Sequence, residues 1–272
     1  MTNTSLKERP AIDDLLEVMA RLRDPENGCP WDREQTFSTI KPYTIEEAYE
    51  VADAIESGDI DQLEDELGDL LFQVVFYAQI SVEAGGFDFD GVARRIAAKM
   101  RDRHPHVFGG ENERTSGSQT IAWEEQKATE RDARAAKSGR KPSALDGVAL
   151  ALPALMRAQK LQKRAAREGF DWENLRPVIA KIHEELEEVE AEISAGSGQD
   201  RLQDEAGDLL FSCVNLARHL GIDAEMALRD ANAKFDRRFR AVEDSLRREG
   251  KSLAEVDLDE METHWTAAKA TE

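Results

Sequence analysis

Acidic residues recur in this chain at a spacing suited to metal chemistry, and they do so twice. Glu46-Glu47-Ala48-Tyr49-Glu50 is followed, after fifteen residues, by Glu66-Leu67-Gly68-Asp69-Leu70-Leu71-Phe72. Glu184-Glu185-Leu186-Glu187-Glu188 is followed, after sixteen, by Glu205-Ala206-Gly207-Asp208-Leu209-Leu210-Phe211. Each copy reads E-E-x-x-E and then E-x-x-D, and the copies lie 138 to 139 residues apart. Helical residues three or four apart share a face, so each half can present its carboxylates together. The second half of each copy leads into an apolar run that predicts a helix buried on most faces. Carboxylates on such an element are costly unless paired or holding a metal. Hard divalent cations take oxygen ligands, and magnesium suits a few carboxylates combined with substrate phosphates. A magnesium-phosphate site follows. The alternative, a solvated acidic helix face, poorly explains the repetition in an apolar context.

Phosphate transfer needs a cation, positioning and a nucleophile. In the second copy Glu185, Glu188, Glu205 and Asp208 are the expected metal ligands. Glu184 would help hold a second ion or orient water, and Glu184 or Glu185 would serve on the base side. Lys234 would steady phosphate charge in the reaction, and Arg237 and Arg238 would add guanidinium contacts. Asn232 can donate and accept. Lys160, Lys163 and Arg164 form a further basic set, whose other reading is a snorkelling or solvated surface. Trp172 repeats the place of Trp31, where a ring can stack on a base or anchor packing. Glu46, Glu47, Glu50, Glu66 and Asp69 offer a corresponding metal set in the first copy. Aligning the downstream helices without a gap pairs Lys99 with Lys234 and Arg103 with Arg238, but Ala97 with Asn232 and Asp102 with Arg237. The second copy is therefore the better equipped for a triphosphate.

The elements that must position these groups are helical throughout. Ile12, Leu15, Leu16, Met19 and Leu22 follow helical spacing before a break over residues 24–30. A short helical turn over Thr36 to Ile40 is expected to stop at Pro42, with the acidic helix running from Thr44 to Ser57-Gly58. Its partner runs from Asp59 to about Val82, and the short turn predicts an antiparallel hairpin. Phe87 to Arg103 supplies the next helix. Residues 111–118 read as a polar loop and 120–137 as helix-like. A helix through Lys160 opens the second unit, the second acidic helix covers about Asn174 to Ile193, and Asp200 to Leu220 is its partner. The next helix runs to Arg248, and residues 253–268 form a last short one. No strand pattern appears, which makes the chain all-α with tandem domains. The expected division is residues 10–110, a helical linker over 111–142, a main catalytic unit over 143–250, and a tail over 251–272.

A formal net charge of -20 argues against a broad nucleic-acid surface. Cys29 and Cys213 are too few for a disulfide scaffold and fit a reducing, cytoplasmic setting. No apolar stretch is long enough to span a membrane. His104 and His106 have no third His or Cys nearby, which reads as helix-end surface rather than zinc. His183, beside Glu184, has Ile45 as its counterpart in the first copy and reads as a surface residue.

The two acidic boxes, together with Lys99-Met100, Arg103-His104-Pro105-His106-Val107-Phe108 and Asn232…Lys234-Phe235…Arg237-Arg238-Phe239, closely resemble the MazG family. These are two-domain nucleoside triphosphate pyrophosphohydrolases of the all-α NTP pyrophosphatase superfamily, and the resemblance covers residues 10–250. It implies hydrolysis between the α and β phosphates, giving nucleoside monophosphate and diphosphate. It further implies dependence on magnesium (or manganese), broad use of ribo- and deoxyribonucleotides, a homodimer, and a role in nucleotide-pool sanitation. The rival reading is an acidic helical binding or regulatory protein with a vestigial metal site.

Overall fold

The computed structural model describes residues 10–109, 128–129 and 141–271. The chain divides into two units, residues 1–123 and 124–272. The loop expected over 111–118 and, apart from the helical residues 128–129, the helix expected over 120–137 lie outside the described residues.

In the first unit, α1 (Ala11–Leu22) is followed by a short α2 (Pro30–Glu34), the long pair α3 (Phe37–Ser57) and α4 (Ile60–Glu83), then α5 (Phe89–Arg103) and α6 (Pro105–Phe108). α3 lies along α4, with α1 and α5 also against α4. One feature of α3 corrects the sequence expectation: there is no break at Pro42, and one helix runs from Phe37 through the proline to Ser57. Thr36 caps it, its hydroxyl accepting from Thr39 N while the Thr39 side chain accepts from Thr36 N. Pro42 sits in the second turn, where it removes only the hydrogen bond to Ser38, a solvent-exposed residue.

The turn joining α3 to α4 depends on Gly58, which ends α3 with φ 73°, a conformation costly for residues with a Cβ. Asp59 then caps α4 through the backbone N–H groups of Asp61 and Gln62. Burial along α4 is uneven, contrary to the expected enclosure on most faces. Val75, Phe76, Ala78 and Ile80 are buried, whereas Leu67 and Leu71, beside the carboxylates, remain 49% and 40% exposed. The core gathers Met19 of α1, Ile40 of α3, and Val75, Phe76 and Ile80 of α4. Arg23 lies over the Phe76 ring at 5.3 Å and holds Glu83 through bonds of 2.8 and 2.6 Å. These contacts fasten the end of α1 to the end of α4.

The second unit repeats the plan with α7 (Ala154–Arg167), the long pair α8 (Leu175–Ala195) and α9 (Gln199–His219), and α10 (Ala224–Arg248). α8 lies along α9, and α7 packs on both α9 and α10. Gly196, with φ 66°, closes α8 as Gly58 closes α3. Beyond the repeat, a 3-10 turn (Leu253–Glu255) leads to α11 (Leu258–Ala270), which folds back on α10. Phe235 of α10 meets Trp265 of α11 at 5.2 Å, and Ser245 bonds His264 Nδ1 at 3.0 Å. The short helix expected in the tail is thus thirteen residues long and seated on the second unit. All regular structure among the described residues is helical.

Candidate active site

The helix pairs bring the spaced carboxylates together in both units. In the second, Glu185 and Glu188 on α8 meet Glu205 on α9, each offering an oxygen within 4.8 Å of the others. In the first, Glu47 on α3 meets Glu66 and Asp69 on α4 within the same limit. Glu46 and Glu50 stand outside that triad, although their charges, with that of Asp69, add to burial in raising the Glu47 pKa. Asp208 stands outside the second triad but lines a cavity together with Glu185.

Glu185 is the most enclosed of these groups, at 4% exposure. Its Oε1 accepts from Lys181 Nζ at 2.9 Å, whereas its Oε2 is buried without a hydrogen-bond partner. A buried carboxylate oxygen with no donor is costly, and a cation held among the three carboxylates would remove that cost. The oxygen-only donor set suits magnesium or manganese. Burial and the neighbouring Glu185 also raise the Glu188 pKa, as expected where like charges converge.

Two cations flank the cluster. Lys181, which contacts Glu184 at 2.7 Å as well as Glu185, is held protonated by those carboxylates. Arg201 spans Glu192 at 2.9 Å and Glu205 at 2.7 Å. Glu184, expected near the chemistry, is paired with Lys181 on the exposed side of α8.

Beside the second cluster opens a cavity of about 540 Å³, a volume that suits a small-molecule ligand. Its wall includes Leu161, Phe170, Trp172 and Phe211, with Lys181, Glu185 and Asp208 on the carboxylate side. Of the expected substrate-binding residues, Trp172 lines this cavity. Lys160, Lys163, Arg164, Asn232, Lys234, Arg237 and Arg238 do not line this cavity. Arg164 donates to the carbonyl oxygens of Ala144 and Asp146 and so anchors that loop. Arg238 lies over the Trp265 ring at 5.8 Å. His104 Nδ1–H donates to Met100 O at 2.7 Å, at a helix end.

Sequence reasoning passed over Lys181, Asn215, Arg218 and Gln162, all of which line the cavity. The repeat held a usable signal. Asn215 stands where the first copy has Phe76, and Lys181 where it has Tyr43. In the first unit Phe76 is 1% exposed and belongs to the core, so packed side chains fill the corresponding position.

Paired helices that gather carboxylates able to hold a cation, duplicated within one chain, define a class of all-helical proteins with two such clusters. The chain belongs to the MazG family: the model of the MazG nucleotide pyrophosphohydrolase domain matches residues 35–108 and 174–242. It is 54% identical over 262 residues to the nucleoside triphosphate pyrophosphohydrolase of Escherichia coli (strain K12), covering 96% of this chain and 98% of that one. It is 41% identical over 258 residues to the nucleoside triphosphate pyrophosphohydrolase/pyrophosphatase MazG of Thermotoga maritima, covering 95% of each chain. A nucleoside triphosphate pyrophosphohydrolase of Mycolicibacterium smegmatis is 35% identical over 209 residues, covering 69% of this chain and 62% of that one.

Proposed function

We propose that this chain hydrolyses nucleoside triphosphates to nucleoside monophosphate and diphosphate, with magnesium, principally in its second unit. The observation that carries this reading is the buried, unpartnered Oε2 of Glu185, set in a three-carboxylate cluster beside a ligand-sized cavity. Glu185, Glu188 and Glu205, with Asp208 from the cavity wall, would hold the cation. When bound, magnesium would polarise the phosphate and offset its negative charge. Lys181 adds a fixed positive charge on the same wall, and the apolar side chains of the cavity offer a surface for the nucleoside end. An oriented water oxygen joins the α-phosphorus and its proton passes to a carboxylate of the cluster, while the bond from that phosphorus to the bridging oxygen breaks and diphosphate leaves with the electron pair. The choice of the α-phosphorus rests on the likeness to the pyrophosphohydrolases.

The first unit keeps a carboxylate triad but has Phe76 in its core where the second has Asn215. Its part is accordingly weak in turnover or chiefly structural. A homodimer is supported by exposed apolar side chains on the acidic helix pairs, including Leu67, Leu71, Leu186 and Leu210. Among the described residues no helix is long and apolar enough to cross a membrane, which accords with a cytoplasmic setting for nucleotide-pool sanitation across several bases and both sugars.

The deciding experiment incubates the chain with nucleoside triphosphates, with and without magnesium, and resolves the products. Monophosphate plus diphosphate, abolished by chelation, is expected. Nucleoside diphosphate plus inorganic phosphate would overturn the reading, and no turnover across several bases would favour the acidic binding-protein alternative.

A further inference from the structure

The cavity wall carries two buried amides whose polarity the surrounding structure fixes. Asn215, 9% exposed, accepts through Oδ1 from both Arg218 Nε at 3.0 Å and Arg218 Nη2 at 2.7 Å. Its oxygen is therefore committed to the guanidinium, and the amide cannot flip without facing NH₂ against N–H donors. Arg218 is held in turn by Asp171, which accepts from both terminal guanidinium nitrogens, at 2.9 Å from Nη1, and also contacts His219 Nε2 at 3.0 Å. A bidentate pair of this kind orients as well as binds.

Gln162 is fixed in the opposite sense. Its Nε2 donates to Phe211 O at 2.8 Å, one helical turn before Asn215, while its Oε1 is buried without a partner. Gln159, one turn away on α7, shows what a purely structural glutamine looks like here: its Nε2 donates to Ile222 O at 2.7 Å and its Oε1 accepts from Ala224 N at 3.3 Å. Gln159 does not line the cavity, whereas Gln162 does. The first copy has Phe76, Gln79 and Pro30 in place of Asn215, Arg218 and Asp171. The trio is thus absent as a set where the cavity position is core.

We propose that Asn215 and Gln162 read the hydrogen-bonding edge of the nucleobase, Asn215 as a fixed donor and Gln162 as a fixed acceptor, with Asp171 and Arg218 as positioning residues. This rests on the functional reading above. The ligand class is a heterocyclic base that carries an acceptor beside a donor, such as N1 and the 6-amino group of adenine. One donor and one acceptor suffice to select against bases stripped of either group, and they leave several ordinary bases acceptable.

Asn215→Asp separates reading from support. The aspartate still accepts from Arg218, so a merely structural Asn215 would be replaced without loss. A reading donor would be lost, and KM for ATP is expected to rise roughly 10- to 100-fold, with kcat changed much less. The effect is expected to be far smaller on ribose 5-triphosphate, which has no base. A second variant covers the other amide: wild type should discriminate against the triphosphate of purine riboside, which is adenosine without its 6-amino group, and Gln162→Leu should erase that discrimination. Wild-type KM for ATP in Asn215→Asp, equal losses with and without a base, or unchanged discrimination in Gln162→Leu would each overturn the proposal. Failure of the wild type to release diphosphate from any nucleotide would instead remove the functional reading, and this proposal with it.

Discussion

Glu185 combines near-complete burial, one ammonium partner and one orphaned oxygen, and this places it apart from the other carboxylates. Glu185→Gln preserves the shape but removes the charge. Turnover is expected to fall by more than roughly a hundredfold, since changes one shell further out already cost that order. Glu47→Gln in the first unit is expected to leave most turnover intact, and parallel steady-state assays of the two variants check the ranking. A second prediction concerns pH. Arg218, followed by His219 and the Trp172 backbone, lowers the Asp171 pKa to about 2. A carboxyl depressed in the folded chain contributes stability above its unfolded pKa and loses that contribution as pH falls through the folded value. The melting-temperature gap between wild type and Asp171→Asn should therefore be full near neutrality and shrink between about pH 4 and pH 2. At this scale the carboxylates were legible because their spacing repeats. Asn215, Arg218 and Gln162 were less so, because only the exchange of Phe76 for Asn215 between the copies set any of them apart from the other polar residues of their helices, and only folding brings the three to one cavity wall.

At the scale of elements, periodicity and turn chemistry fixed the helix pairs, since Gly58 and Gly196 end their helices in a conformation that glycine favours. The break placed at Pro42 was wrong because a proline in the second turn, near the capped start of a helix, forfeits little. Gly68 and Gly207 pose a different matter. Both lie inside continuous helices, between the paired carboxylates, and a Cβ at either would meet nothing within 4 Å. In an isolated subunit Gly207→Ala should stabilise by about 0.5–1 kcal/mol. If a second subunit covers that face, the same change would crowd it and destabilise. Denaturant unfolding at several protein concentrations distinguishes the two, and destabilisation that depends on concentration is the expected result. Phe76→Ala, deep in the first core, should cost about 3–5 kcal/mol by the same measurement.

For the molecule as a whole, the duplication was visible in sequence, whereas the unequal fate of the copies depended on what each packs around its carboxylates. A ligand that binds only the folded state raises stability with its concentration. Magnesium should therefore raise the melting temperature of the wild type, and Glu185→Gln with Glu205→Gln should remove most of that rise, as thermal scans across a magnesium titration can establish. The hairpins themselves have a consequence for how the chain comes apart. Each triad bridges two helices joined by a turn of a few residues, so a cation there closes a short stretch of chain, for which the entropic penalty is small. The metal-binding half of each unit thus needs only local order, whereas the cavity needs α7 and α9 docked together. On gentle denaturation the amides of α8 and α9 around the triad should exchange last in the presence of magnesium, after α7 has already loosened. The second unit would then pass through a state that still grips metal but no longer recognises a base.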